Sequence, residues 1–145
     1  MKQKRTIFYV DDNPKSRRLL AAILEDFGFA VIAASGPLEA VEIARNISFD
    51  LALLDYQMPL MSGAQLAEAI KNIVPGAPVV MISGFAAVST EELDHVDAYH
   101  GKGTTLQELL GTIQRLLAAN AVTGGQVGQH DIDETRKGQL WSIST

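Results

Sequence analysis

Cysteine is absent from the 145-residue chain, and no apolar run approaches the roughly 18 residues of a membrane-spanning helix. The lack of cysteine excludes a disulfide framework and any thiolate metal site. Basic residues are in the minority, 12 against 17 acidic ones, and the net charge is -5. An acidic surface argues against non-specific binding of nucleic acid, because such binding depends on neutralising phosphates with lysine and arginine.

The start of the chain has no long apolar stretch of the kind found in secretory signal peptides. Only four apolar residues, 7–10, stand between the basic start and two aspartates. We therefore expect a cytoplasmic protein with no membrane segment and no direct nucleic-acid contact. With 47% hydrophobic and 20% charged residues, the chain suits one globular domain with a proper core.

Short apolar segments alternate with longer segments of helical periodicity. Strands are predicted at residues 6–10, 30–34, 51–54, 79–82 and 96–99, and helices at residues 14–27, 37–46, 64–74, 86–94 and 106–119. The first helix carries one apolar stripe, formed by Leu19, Leu20, Ile23, Leu24 and Phe27. The strands are near-continuous apolar runs, as expected when helices cover both faces of a parallel sheet. The pattern predicts an α/β fold with a doubly wound, five-stranded parallel sheet and five helices, (βα)5.

The character of the chain changes near residue 121. Residues 121–145 are polar, rich in glycine and only weakly periodic. We expect residues 1–120 to form the domain and residues 121–145 to form a flexible linker and polar tail.

Polar side chains stand where the predicted strands end. Asp11 and Asp12 follow the first strand, Asp55 the third, Ser83 the fourth and Lys102 the fifth. Ligands of open α/β sheets bind outside the carboxyl ends of the strands. We therefore expect these side chains to converge at one edge of the sheet.

Three carboxylates at one edge would repel one another and raise a pKa unless a cation lay between them. Oxygen ligands with open positions suit Mg²⁺, which keeps several waters and adds phosphate oxygens of a substrate. A lysine can neutralise the remaining phosphoryl charge, and a serine hydroxyl can donate a hydrogen bond to it. Asp55 would then be a nucleophile that forms an acyl phosphate.

The order of these residues resembles that of a response-regulator receiver domain, the CheY-like family of two-component signalling. The matching residues, within 5–119, are the pair Asp11-Asp12, Asp55 in LLDYQMPLMSG, Ser83-Gly84, and Tyr99 three residues before Lys102. Each motif alone is weak, whereas all of them in this order at predicted strand ends are specific. The resemblance implies the flavodoxin-like form of the (βα)5 fold.

The resemblance also implies a phosphoacceptor and a metal site. Asp55 would be the phosphoacceptor. Mg²⁺ would be bound directly by Asp12 and Asp55, through water by Asp11, and by the backbone carbonyl of Gln57.

The remaining matches imply a conformational switch. Ser83 would bond the phosphoryl oxygen, Lys102 would pair with it, and Tyr99 would turn inward when Ser83 moves. Phosphorylation would bias an existing equilibrium between two packings. A histidine kinase or histidine phosphotransfer protein would donate the phosphoryl group, and an unknown downstream protein would receive the signal. The domain would catalyse only its own phosphorylation and dephosphorylation and would not otherwise be an enzyme.

Some residues depart from the family pattern. Gly103 stands where proline usually follows the lysine, which keeps open an alternative: a pseudo-receiver, or protein-binding module, that acts without phosphorylation. A phosphatase or mutase of the haloacid-dehalogenase type is disfavoured, because its second aspartate is replaced by Gln57. Asp97 could join the charged face through which many DNA-binding relatives dimerise. The predicted fourth helix has no basic partner for it, so we do not expect that dimer.

Overall fold

Strands and helices alternate in a computed structural model that describes residues 4–84, 88–101 and 103–123. The strands are β1 (Thr6–Val10), β2 (Ala30–Ala34), β3 (Leu51–Asp55), β4 (Val79–Ile82) and β5 (Ala98–His100). The helices are α1 (Pro14–Asp26), α2 (Pro37–Ala44), α3 (Gly63–Ile73) and α4 (Leu106–Thr123). The described elements thus follow the predicted order.

The five strands form one parallel sheet in the order β2-β1-β3-β4-β5. The order reverses at β1, which pairs with β2 on one side and with β3 on the other. Helices α1 and α4 cover one face of the sheet, and α2 and α3 cover the opposite face. This is the doubly wound, flavodoxin-like arrangement, so the fold class predicted from the sequence is confirmed.

Successive residues of the central strands divide between two apolar cores. Ile7 and Tyr9 of β1 face α1 and α4, whereas Phe8 and Val10 face α2 and α3. None of the four is more than 1% exposed. Because both faces are covered, the strand sequence is apolar throughout and does not alternate with polar residues.

The predicted stripe of α1 is only partly buried. Leu24 is fully buried and Leu20 packs against the first core. Leu19 and Phe27, however, are 65% and 56% exposed. At 100° per residue Leu19 lies at one edge of the stripe, whereas Phe27 is the C-cap and follows the last residue of the helix.

The helix predicted at residues 86–94 is wrong as far as the structure describes this segment. Between residues 88 and 94 the backbone forms only a 3₁₀ turn, Glu91–Leu93. The Ser89 hydroxyl accepts from the amide of Glu92 at 3.3 Å, and the Glu92 carboxylate accepts from the amide of Ser89 at 3.1 Å. Such a reciprocal pair usually starts a helix, but the chain already turns inward at Val96, which is 3% exposed. The described residues therefore contain four helices instead of five.

Asp97 lies in a buried ion pair and is 8% exposed. Its Oδ2 atom is 2.8 Å from Nζ of Lys71 and accepts a hydrogen bond from the amide of Val79 at 2.7 Å. Lys71 also donates to the carbonyl of Ala77 at 2.8 Å. The pair joins the end of α3 to the starts of β4 and β5, so Asp97 does not belong to an exposed charged face.

Helix α4 continues to Thr123, three residues into the segment predicted as a linker. The rest of that predicted linker and tail, residues 124–145, lies outside the described residues. Within the described part of the chain, no helix combines the length and the apolar character needed to cross a bilayer.

Gly63 allows α3 to begin directly against the end of β3. A Cβ atom at this position would lie 2.6 Å from the carbonyl oxygen of Asp55 and 2.8 Å from Cα of Tyr56. Both neighbours are main-chain atoms, so no rotation of a side chain could relieve the overlap. The glycine is therefore required for the fold to hold Asp55 where it does.

We predict that Gly63→Ala lowers the free energy of unfolding by about 1–3 kcal/mol, because the added methyl group overpacks the backbone. Gly111→Ala is the matched control, since no atom lies within 4 Å of a Cβ at this position in α4. That change should raise the free energy of unfolding by about 0.5–1 kcal/mol through helix propensity. Urea denaturation measures both, and effects of the same sign would contradict the steric argument.

Candidate functional site

Three carboxylates meet at the carboxyl edge of the sheet, where the strand order reverses between β1 and β3. Asp11 and Asp12 follow β1, and Asp55 is the last residue of β3. One carboxylate oxygen from each residue lies within 4.8 Å of those of the other two. This reversal is where doubly wound sheets bind their ligands. The structure thus brings these three predicted residues together.

Asp55 is the carboxylate most perturbed by this arrangement. Burial raises its pKa to about 7, with further contributions from the negative charges of Asp11 and Asp12. The nearby backbone N–H groups of Gln57 and Tyr56 favour the ionised form and oppose the rise in its pKa. A divalent cation between the three residues would offset the repulsion. The oxygen-only donor set, open to solvent at Asp12, fits Mg²⁺.

Asp11 is held from three sides and is 5% exposed. Its Oδ2 atom accepts a hydrogen bond from the Tyr9 hydroxyl at 2.7 Å, and its Oδ1 atom accepts one from the amide of Asn13 at 2.9 Å. Arg17 donates through Nη1 to the main-chain carbonyl of Asp11 at 2.8 Å. Asp12, by contrast, is exposed. The two aspartates therefore offer a fixed and an accessible carboxylate.

The sequence interpretation missed Tyr9 and Arg17. Side chains two residues apart in a strand point to the same face. That periodicity already places Tyr9 on the side of Asp11 and could have identified it. Arg17 gives no comparable pattern, because its contact is with a main-chain carbonyl.

Asn13 is the residue that caps α1. Its side chain accepts hydrogen bonds from the amides of Lys15 and Ser16 at 2.9 and 3.1 Å. Aspartate is a common N-cap, so an acidic pair before a helix can serve merely to cap it. With Asn13 in that position, neither Asp11 nor Asp12 is the N-cap of this helix.

An open groove of about 770 Å³ joins the carboxylates to two other predicted site residues, Ser83 and Gln57. Ser83 is 4% exposed, and its amide donates to the carbonyl of His100 at 3.1 Å. Away from the carboxylates, the groove runs between α1 and α4 over apolar side chains. These are Leu19, Leu20, Ile23, Leu106 and Leu109.

His100 forms part of the groove wall, a position that its spacing in the sequence does not indicate. Its Nε2 atom lies 2.8 Å from the Thr112 hydroxyl, and its Nδ1 atom lies 3.3 Å from the Thr104 hydroxyl. Burial lowers the pKa of His100 below its ordinary value of 6.5. The ring is therefore neutral at pH 7 and joins β5 to α4 through hydroxyl partners.

Tyr99 lies on the opposite face of β5 from His100 and packs, partly buried, against the second core. A Cβ at Gly101 would lie 3.2 Å from the Tyr99 hydroxyl. On the same side, the Tyr56 hydroxyl donates to the carboxylate of Glu92. The predicted switch residue thus lies outside the groove, on the side of the 3₁₀ turn.

Lys102 lies outside the described residues, so its predicted pairing with a phosphoryl group stays a prediction. The next residue, Gly103, has a φ of 95°. Proline is restricted to φ near −65° and could not adopt this conformation. The backbone conformation at Gly103 is therefore one that the proline usual at this position in the family could not adopt.

A sequence model of the response regulator receiver domain matches residues 7–99. The match covers more than half of the chain and includes the ends of β1, β3 and β4, which carry the residues of the site. The chain belongs to this receiver-domain family.

Three similar proteins illustrate the relationship. Residues of the chain are 32% identical over 125 positions to the autoinducer 1 sensor kinase/phosphatase LuxN of Vibrio campbellii, covering 83% of this chain and 14% of that protein. A CheY-like receiver domain from Methanospirillum hungatei JF-1 has a TM-score of 0.77 and 30% identity, covering 84% of this chain and all of that one. The response regulator TrrA of Thermotoga maritima, solved with Mg²⁺-BeF, has a TM-score of 0.73 and 27% identity over 77% of this chain and 98% of that one.

The chain spans well under two thirds of the length of the first curated relatives that it matches, 35% in one case and 14% in another. The receiver domain is therefore what the chain shares with them. The activities and partners of those longer proteins are not transferred by the match.

We predict that the raised pKa of Asp55 makes stability depend on pH. Folded Asp55 holds its proton up to about pH 7, whereas the unfolded carboxyl loses it near its ordinary value of 3.8. The folded state therefore loses stability as pH rises between these values. Without divalent cations, Asp55→Asn should raise the free energy of unfolding at pH 7.5 by about 1–2 kcal/mol, after allowance for partial exposure.

Urea denaturation in EDTA at pH 5 and pH 7.5 measures this effect, which should be larger at the higher pH. The control is Asp94→Asn, which changes an exposed carboxylate away from the site. It should leave stability within about 0.5 kcal/mol of the wild type. Destabilisation by Asp55→Asn at pH 7.5 would contradict the repulsion described here.

Proposed function

We propose that the protein accepts a phosphoryl group on Asp55 from a histidine kinase or histidine phosphotransfer protein, in a Mg²⁺-dependent reaction. The observation that carries this proposal is the convergence of Asp55 with Asp11 and Asp12 within 4.8 Å at the strand-order reversal. Phosphorylation would change the conformation of the domain and so control a downstream protein. The protein would be a signalling switch that catalyses only its own phosphorylation and dephosphorylation.

The acidic residues would hold the metal as the family resemblance implies. Asp12 and Asp55 would be direct ligands, Asp11 would act through water, and the backbone carbonyl of Gln57 would complete the protein ligands. Bound Mg²⁺ would supply positive charge that keeps Asp55 ionised and neutralises phosphoryl oxygens. The Mg²⁺-BeF complex of TrrA supports this choice of metal.

Asp55 would act as the nucleophile. One of its carboxylate oxygens forms a bond to phosphorus while the bond from phosphorus to the donor's histidine nitrogen breaks. The backbone N–H groups of Tyr56 and Gln57 would favour the ionised, nucleophilic form of the carboxylate. Ser83 and Lys102 would then contact the phosphoryl oxygens.

Ser83 and Tyr99 would form the switch. They belong to neighbouring strands, because β4 pairs with β5 in the register Met81 to Tyr99 and Ile82 to His100. A movement of Ser83 toward the phosphoryl group would therefore act on the strand that carries Tyr99. Tyr99, which is partly buried against the second core, would turn further inward in response.

Exposed apolar side chains near Asp55 support a protein as the phosphoryl donor. Among the described residues, Leu19 and Leu106 are exposed and flank the groove itself, and Leu60 lies exposed in the loop after Asp55. Exposed apolar groups beside a binding groove are typical of a docking surface. LuxN, a sensor kinase by name, shows that similar sequences occur in kinases. We place the phosphoryl transfer in the cytoplasm.

We predict that incubation with Mg²⁺ and acetyl phosphate adds one phosphoryl group to the wild type and none to Asp55→Asn. Intact-mass measurement detects the addition, and EDTA should abolish it. Phosphorylation of the Asn variant would place the acceptor elsewhere. Failure of the folded wild type with both acetyl phosphate and a protein donor would favour a pseudo-receiver.

We also predict that Leu19→Ser slows phosphoryl transfer from a histidine-containing donor protein by about tenfold, because an apolar contact is lost at the docking surface. The rate with acetyl phosphate should not change, since the small donor needs no such surface. Phe27→Ser is the matched control, because Phe27 is similarly exposed but lies at the far end of α1. Equal slowing by the two variants would contradict docking at the groove.

A further inference from the structure

Tyr9 places one polar atom where the apolar core meets the carboxylates. The side chain is 1% exposed and packs in the core under α1 and α4. Its hydroxyl reaches the groove and donates to Oδ2 of Asp11 at 2.7 Å. The second contact of the hydroxyl, to the carbonyl of Ser16, is longer at 3.4 Å. The hydroxyl is therefore directed chiefly at the carboxylate.

The hydrogen bond from Tyr9 completes the fixation of Asp11. The amide of Asn13 already holds Oδ1 at 2.9 Å. With Tyr9 on Oδ2, both carboxylate oxygens are engaged and the group cannot rotate freely. An ionised oxygen accepts more than one hydrogen bond, so the contact with Tyr9 leaves room for a metal-bound water.

We infer that Tyr9 is a positioning residue for Mg²⁺ and sets the metal affinity of the site through Asp11. The inference rests on the proposed function, because it requires that the carboxylates bind the metal. Partners that orient metal-binding groups affect affinity even without touching the ion. Without the hydroxyl, Asp11 would lose one fixed contact beside the like charges of Asp12 and Asp55.

The test is calorimetric titration of Mg²⁺ into the wild type and Tyr9→Phe. The variant keeps the ring in the core, and its dissociation constant for Mg²⁺ should rise by about 3–10-fold. This is less than the roughly 10–100-fold typical of such partners, because Asp11 acts on the metal through water. Phosphorylation by acetyl phosphate should need correspondingly more Mg²⁺ and reach the same rate at saturation. A residue with only a packing role would change neither quantity.

Thr112→Val is the matched control. Thr112 also carries a buried hydroxyl, 3% exposed and bonded to His100 at 2.8 Å, but it does not touch the carboxylates. Both variants should lower the melting temperature, whereas only Tyr9→Phe should weaken Mg²⁺ binding. Equal Mg²⁺ affinity in Tyr9→Phe and the wild type, within twofold, would overturn the inference and leave the proposed function standing. Absence of Mg²⁺ binding by the wild type would reject both.

A second measurement needs no change at Tyr9. The chain has three tyrosines and therefore three ¹³Cζ resonances. The resonances lost in Tyr56→Phe and Tyr99→Phe belong to those two residues, and the one that remains in both variants belongs to Tyr9. This carbon reports the hydrogen bond of the hydroxyl. Its resonance should shift during titration with Mg²⁺, and an unchanged resonance at saturation would overturn the inference even if Tyr9→Phe did not fold.

Discussion

Mutual repulsion between three carboxylates is the constraint on which the rest of this structure depends. The sheet holds one carboxylate oxygen from each of Asp11, Asp12 and Asp55 within 4.8 Å of the others. Burial raises the pKa of Asp55 to about 7, and the negative charges of Asp11 and Asp12 add to the rise. Such a cluster persists only if the surrounding fold is stable enough to impose it. The two strands that carry it are covered on both faces, and the backbone of β3 fits directly against Gly63.

The two aspartates beside Asp55 are held in different ways. Asp11 is buried and fixed by donors, whereas Asp12 is left accessible. The loop after Asp55 folds back so that the amide of Gly63 donates to the carbonyl of Tyr56 at 2.8 Å. Leu60 of this loop has a φ of 75° and is 83% exposed. Conformational strain of this kind, at a non-glycine residue beside a carboxylate cluster, is common at functional sites.

The sheet was predictable because apolar runs covered on both faces leave a strong pattern, and the aspartates stand where those runs stop. The helix wrongly predicted at residues 86–94 shows that a local capping pattern does not by itself decide whether a helix forms. Ser89 and Glu92 form the same reciprocal pair that Thr105 and Glu108 form before α4. Only α4 continues into buried apolar residues, and packing decides whether a capped turn becomes a helix. Which residues of α1 are buried, and which atom Arg17 contacts, likewise depend on the packing of distant segments. The spacing of residues in the sequence does not show this packing.

The 3₁₀ turn that residues 88–94 form in place of the predicted helix bears on how a signal leaves the site. It is joined to the loop after Asp55 by the hydrogen bond from Tyr56 to Glu92. Tyr99 packs on the same side, and Ser83 is bonded to the strand that carries it. The segment is held internally by backbone hydrogen bonds from Glu92 to Ser89, Leu93 to Thr90 and Asp94 to Glu91. If Asp55 accepts a phosphoryl group, a change at this position would reach the segment through Tyr56, because Tyr56 directly follows Asp55 and bonds to Glu92.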